Sequence, residues 1–243
     1  MSIISIMRLL LKFPTKYRLE KSLAVIARYV EYATTPEKLQ IVVSLDVDDD
    51  ESIAGIPRYE AILPGQVQVC VGPAEGKIAA VNRDVPSPDT FDILLLGSDD
   101  MIPMVKGYDD VIREKMTQHY PDTDGVLFFN DGVQGSNLNT LSIMGSKFYQ
   151  RFGYIYYPEY KSFFCDTEFM AVATALDKQT YFPEIIIKHF NPHANKEVPF
   201  DSLYIQNHRY WSVDEATYNR RKAAGFFIEP NRIPVGKIKL AWA

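Results

Sequence analysis

Phe91-Asp92-Ile93-Leu94-Leu95-Leu96-Gly97-Ser98-Asp99-Asp100-Met101-Ile102-Pro103 is an apolar run that breaks off at a glycine and ends on two carboxylates. The segment FDILLL has the near-continuous hydrophobicity of a strand covered on both faces, the pattern of a parallel sheet between helix layers. In open α/β sheets, ligands bind in the crevice beyond the carboxyl ends of the strands. The acids therefore fall where a ligand would. Leu39 to Leu45 (LQIVVSL) repeats the arrangement, since it is β-branched, nearly continuous, and runs directly into Asp46-Val47-Asp48-Asp49-Asp50-Glu51. Asp46/Asp48 and Asp99/Asp100 would then share one crevice.

Working outward, Ile3 to Leu11 reads as a buried first strand, halted at Pro14. Thr15 is positioned to cap the helix that follows, whose apolar stripe is Leu19, Leu23, Ile26, Val30 and Ala33, up to the break at Thr34-Thr35-Pro36. Gln66 to Val71 reads as a third strand and Gly76 to Asn82 as a short helix. Residues 105–119 read as a helix, Gly125 to Phe129 and Leu141 to Met144 as strands, Cys165 to Leu176 as a helix, Glu184 to Phe190 as a last strand, and 212–225 as a charged helix. Strand–helix alternation through residue 100, then mixed elements, predicts an α/β fold: one Rossmann-like domain with a mostly parallel central sheet flanked by helices and an additional C-terminal segment.

Composition narrows the function classes. The chain has 243 residues, is 47% hydrophobic and 23% charged, and carries a net charge of −5. It is too apolar for a disordered chain, and the acidic balance argues against a nucleic-acid polymer as partner, which requires a basic face. Cys70 and Cys165 are widely spaced in apolar surroundings and match neither a disulfide framework nor a CxxC metal site; they read as buried free thiols. Ile3 to Leu11 is interrupted by Arg8 and is far shorter than the roughly 20 residues of a membrane span. It also lacks the basic start and cleavage site of a signal peptide, so the reading is cytoplasmic.

Carboxylates gathered at strand ends suit a hard divalent cation, Mn²⁺ or Mg²⁺, which is commonly held by one or two carboxylates together with substrate phosphates. A nucleotide diphosphate site is the natural inference; the alternative is that these acids are solvated turn residues. The order of Phe13-Pro14-Thr15, a strand ending at Asp46, Gly76-Lys77 with Ala79 and Asn82, and a strand ending in Gly97-Ser98-Asp99-Asp100 resembles the GT-A glycosyltransferases, specifically the family 2-like nucleotide-sugar enzymes. Cys165-Asp166-Thr167-Glu168-Phe169 is similar to the Glu-Asp-x-Asp-Leu segment that carries the catalytic base in inverting members.

The resemblance implies a glycosyltransferase with a nucleotide-diphospho-sugar donor, a UDP-sugar foremost, and a glycan or other hydroxyl acceptor. Residues 1–104 would form the donor half of a single domain, and 105–243 the acceptor half and tail. Pro14, Thr15 and Arg18 would surround the nucleotide, Asp46 would bond the base, Lys77 would lie over the base or ribose, and Asp48 and Asn82 would be further donor-binding residues. The family's acidic metal motif falls on Gly97-Ser98-Asp99, followed by Asp100, and the sequence departs from it at Gly97, where the first carboxylate is missing. Asp99 would be the main metal ligand with Asp100 as second choice, Ser98 and Asp100 would also bind the donor, and His189 would be a further metal ligand with His193 as substitute. A histidine closing an apolar strand also reads as a structural hydrogen-bonder, and His119 and His208 read as surface residues. Asp166 would be the general base and Glu168 its alternative; Asp166 also reads as a helix N-cap. Beside the resemblance, the aromatic stretch 148–164 admits two readings, core filling for about half of it and acceptor contact for Tyr156, Tyr157 and Tyr160, which flank Pro158 in a loop; Asn130 and Asp131 could also face the acceptor. Two rivals remain: a nucleotidyltransferase that makes sugar nucleotides, disfavoured because residues 12–18 contain no glycine, and a non-catalytic carbohydrate-binding or virion-associated protein on the same scaffold.

Overall fold

The computed structural model describes residues 6–190 and 208–227. In chain order the first half comprises β1 (Leu9–Thr15), α1 (Leu19–Tyr32), β2 (Leu39–Asp46), α2 (Asp50–Ala54), α3 (Ile56–Ile62), β3 (Val67–Gly72), α4 (Lys77–Asn82), β4 (Ile93–Leu96) and β5 (Met101–Pro103). The second comprises α5 (Tyr108–His119), β6 (Val126–Phe129), β7 (Ile143–Gly145), α6 (Ser146–Gln150), α7 (Cys165–Ala175), β8 (Gln179–Phe182), β9 (Ile187–His189) and α8 (Trp211–Ala223).

Among the described residues the main sheet has seven strands in the order β3-β2-β1-β4-β7-β6-β8. β1 pairs in parallel with β2 and β4, and β2 with β3. β7 alone runs against its neighbours, antiparallel to both β4 and β6. Successive side chains of each strand alternate between two apolar layers. Leu9, Leu11, Phe13, Ile41, Val43, Ile93 and Leu95 pack against α1, α3 and α5. Leu10, Val42 and Leu94 pack against α4, α6 and α7, through Ile78, Val81, Phe148, Phe169 and Val172. The fold is the expected α/β one, with a mostly parallel sheet between helix layers.

Several boundaries differ from expectation. Pro14 does not halt β1, which continues to Thr15. Pairing with β4 stops at Lys12, so beyond it one flank of β1 has no ladder to break. Thr15 consequently belongs to the strand, and α1 starts at Leu19 with no side-chain cap. The expected strand at 184–190 contracts to β9, which pairs antiparallel with β5 in a separate ribbon. The strand that closes the main sheet beyond β6 is instead β8. The short helices α2 and α3 fill the stretch after the acidic run, where no periodicity marked them; Asp49 caps α2 by accepting the Ser52 N–H at 3.1 Å.

Candidate functional site

β1, β2 and β4 end side by side, and the loop 16–18 leaving β1 lies between the acids of the other two. Tyr17 adopts a left-handed conformation (φ 57°) that turns the chain sharply there. On one side Lys16 Nζ bridges Asp46 (3.1 Å) and Asp48 (2.8 Å), the Tyr17 hydroxyl donates to Asp48 (3.0 Å), and the Tyr17 N–H donates to Asp49 (2.6 Å). On the other, Arg18 Nη1 donates to both Asp99 oxygens at 2.9 and 3.0 Å, and Lys21 Nζ reaches Asp99 at 3.0 Å. Asp46 is also held by Arg83 Nη1 at 3.0 Å. Arg83 lies flat along β3, where a side chain at Gly72 would come within 2.6 Å of its Nε.

Asp46 and Asp99 are both buried, and each is matched there by the cations named above. Thr15 lies between them, and its buried Oγ1 has no hydrogen-bond partner among the described residues. Pro14 is half-buried beside it. At position 97 the backbone directs a side chain inward, where a Cβ would meet Leu11 Cδ1 at 2.7 Å and Phe13 Cδ2 at 3.0 Å. The missing first acid thus has a steric reason, since a carboxylate at this position would enter the apolar layer.

Beyond Asp99 the chain turns, with Ser98 Oγ hydrogen-bonded to Asp100. The β5–β9 ribbon brings His189 to this turn, with Nε2 at 3.5 Å from Asp100 and Nδ1 at 3.6 Å from Asp131. Burial disfavours the imidazolium, but the two carboxylates outweigh it and raise the His189 pKa to about 9. Burial likewise pushes Asp131 up, yet His189, Thr140 and the N–H groups of Val133 and Gln134 bring it down to about 2. Asp131 is therefore a scaffold for His189 and its own loop. Asn130 caps that turn, accepting the Gly132 N–H at 2.8 Å.

Asp166 occupies the first turn of α7 and accepts the Thr167 N–H at 2.8 Å. It is not the N-cap, because the helix begins one residue earlier, after Phe164. Burial raises its pKa, while the charges of Lys77 and His189 pull in the opposite direction. Lys77 is exposed at the start of α4. Glu168 faces the other way. It is buried, accepts the Tyr160 hydroxyl at 2.7 Å, and is gripped by Arg221 Nε and Nη2 at 2.6–2.9 Å. Asn82 is similarly committed, donating to the Tyr156 carbonyl (2.7 Å) and accepting the N–H groups of Ile155 (2.9 Å) and Tyr156 (3.0 Å).

The tyrosines expected at the acceptor are corrected in part. Tyr156 and Tyr160 are buried and place their hydroxyls against Ser142 and Glu168. Only Tyr157 is half-exposed, and it lies under Arg221. His119 and His208 are exposed as expected, whereas His193 lies outside the described residues. Cys165 is buried and Cys70 half-buried, both free. Lys16, Lys21 and Arg83 escaped the sequence reading; their signal is a basic residue just after β1, in the first turn of α1 and just after α4, too common to select on.

For a divalent cation, no group of three or more metal-ligating side chains exists among the described residues. The donors present are Asp99, Asp100 and His189 at the end of β4 and on the ribbon. Asp99 is engaged by Arg18 and Lys21 and His189 is held between Asp100 and Asp131 with a pKa raised to about 9, so a hard ion here would need Asp99 released and His189 deprotonated, with substrate phosphates completing its shell.

No family model and no curated protein matches the sequence. Solved structures do. The mannosyltransferase PcManGT from Pyrobaculum calidifontis, in complex with GDP-Man and Mn²⁺, superposes with a TM-score of 0.65 over 92% of this chain at 14% identity. This chain spans 65% of its length. S. aureus TarS 1–349 in complex with UDP gives a TM-score of 0.58 at 12% identity, covering 93% of this chain and 76% of that one. Its complex with UDP-GlcNAc gives 0.56 at 14% identity, with coverages of 86% and 66%. The likeness is one of fold, and that fold is the GT-A fold of nucleotide-sugar glycosyltransferases.

Proposed function

We propose that the chain is a glycosyltransferase that moves a sugar from a nucleotide-diphospho-sugar, a UDP-sugar foremost, to a hydroxyl acceptor, with inversion at the anomeric carbon and Asp166 as base. The observation that carries this reading is the set of ion pairs at the strand ends, which joins Asp46 to Lys16, Asp99 to Arg18 and Asp100 to His189. The Thr15 hydroxyl, on the strand between Asp46 and Asp99, has no hydrogen-bond partner among the described residues. Neighbours of the same fold bound to GDP-Man with Mn²⁺ and to UDP-GlcNAc support the same class of donor.

In this arrangement the base lies against Asp46, with Lys77 at the rim. The diphosphate lies toward the end of β4, where Arg18 and Lys21 now neutralise Asp99. Fixed positive charge at a developing diphosphate is usually the larger electrostatic contribution to such a step. A divalent cation held by Asp99 and His189 would supply further neutralisation when bound. Asp166 takes the proton of the acceptor hydroxyl as its oxygen attacks the anomeric carbon, and the bonding pair leaves with the diphosphate oxygen. Burial suits Asp166 to that task, because a base works best with its pKa raised toward the working pH. Glu168, locked by Arg221, has no such freedom.

Calorimetric titration with UDP and GDP, with and without Mn²⁺, tests the reading. Binding of one nucleotide is expected, tightened about tenfold or more by Mn²⁺ and weakened by Asp99→Asn. Absence of binding to either nucleotide under all conditions contradicts it. Sugar-nucleotide synthesis from a nucleoside triphosphate and a sugar phosphate would instead mark a nucleotidyltransferase.

A further inference from the structure

α8 grips the chain on both sides of Asp166. Its first turn carries Asp214, which is fully buried. The Asp214 carboxylate accepts the N–H groups of three consecutive residues, Lys161, Ser162 and Phe163, each at 2.8 Å. A carboxylate removed from water is costly unless its oxygens are hydrogen-bonded, and here the turn 161–163 supplies those bonds from its backbone. About two turns further along the same face of α8, Arg221 grips Glu168, two residues beyond Asp166.

Between the two grips the chain passes through Phe164, whose φ of 61° is a left-handed conformation that a bulky residue rarely adopts. Its ring is held between Trp211 (4.9 Å) and Tyr218 (5.7 Å), both on α8. The direction in which α7 starts, and therefore where the Asp166 carboxylate lies, depends on that residue. Among the described residues the Asp166 carboxylate is hydrogen-bonded only to its neighbour Thr167.

We propose that Asp214 is a positioning residue for the transfer step: it locks the turn 161–163 so that α7 presents Asp166 to the crevice. The proposal rests on Asp166 being the base. Asp214→Ala removes all three bonds, whereas Asp214→Asn keeps one oxygen to accept from Ser162 and Phe163 and loses the charge and the bond from Lys161. Displacing a reacting group by about 1 Å can lower a rate about 100-fold.

The experiment measures kcat, donor KM, nucleotide affinity and the pH profile of kcat for both variants alongside Asp166→Asn. The expected result is a kcat lowered about 100-fold in Asp214→Ala and less in Asp214→Asn, with donor KM and nucleotide affinity unchanged. The acidic limb of kcat is expected to move to lower pH, because a displaced Asp166 gains water. Should Asp214→Ala fail to fold, Asp214→Asn decides by the same readouts. Wild-type kcat in the Asp214 variants, or a loss shared equally by kcat and nucleotide affinity with the acidic limb in place, overturns the proposal. Undiminished transfer by Asp166→Asn overturns the base assignment itself, a separate failure.

Discussion

At position 97 a side chain would enter the apolar layer between Leu11 and Phe13, and this gives a sharp prediction. Gly97→Asp, which restores the acidic pattern of the resembled family, is expected to destabilise the protein by about 2 kcal/mol or more through overpacking and a buried charge, without tightening Mn²⁺ binding. Denaturant unfolding and calorimetry check the two halves. Lys12 is the opposite case, a charged residue in an apolar strand. Its Nζ donates to Ser44 Oγ and to the Ala80 carbonyl beneath α4. Burial lowers its pKa from 10.5 to about 7, with Asp84 partly offsetting the fall. Between those values the unfolded chain binds one more proton than the folded one, so stability rises with pH across that window. Lys12→Met is expected to flatten the rise; an unchanged slope between urea melts at about pH 7 and about pH 9.5 would show that Lys12 does not titrate there.

Among the elements, α7 and α8 are joined by the Glu168–Arg221 pair, buried on both sides. Removing one partner leaves the other charge unmatched, which typically costs about 3–5 kcal/mol. Glu168→Gln is therefore expected to lower the melting temperature strongly, and adding Arg221→Met to recover much of the loss; equal or additive losses in the double variant would contradict the coupling. Little of this was legible in the sequence, because Asp214 and Arg221 find their partners about fifty residues away and neither shows a motif. The sheet was far more legible. β2 and β4 are continuous apolar runs whose acidic ends name the crevice, and Asp46, Asp99 and Asp100 follow from that pattern alone. β5 was not, and β9 was read only as part of a longer strand at 184–190, because the pairing of two three-residue strands in a separate ribbon leaves no period to read, and with it went the Asp100–His189–Asp131 arrangement. Pro14 misled because its effect depends on whether a neighbouring strand is still paired beside it, which is a tertiary fact.

For the molecule as a whole, the net charge of −5 is unevenly placed. Much of the acid near the strand ends is already matched by Lys16, Arg18, Lys21 and Arg83, so the crevice presents both signs to a ligand. Mixed charge of this kind suits the small diphosphate ligand proposed above better than a polyanion-binding role. Among the described residues no helix is long and apolar enough to cross a membrane. The most direct measurement is nucleotide release from a panel of UDP- and GDP-sugars, with Mn²⁺ and glycan acceptors present, by the wild type and by Asp166→Asn. The account predicts release from at least one donor by the wild type and none by Asp166→Asn, which still binds that donor's nucleotide with wild-type affinity. No release from any donor, or equal release by both proteins, would contradict it.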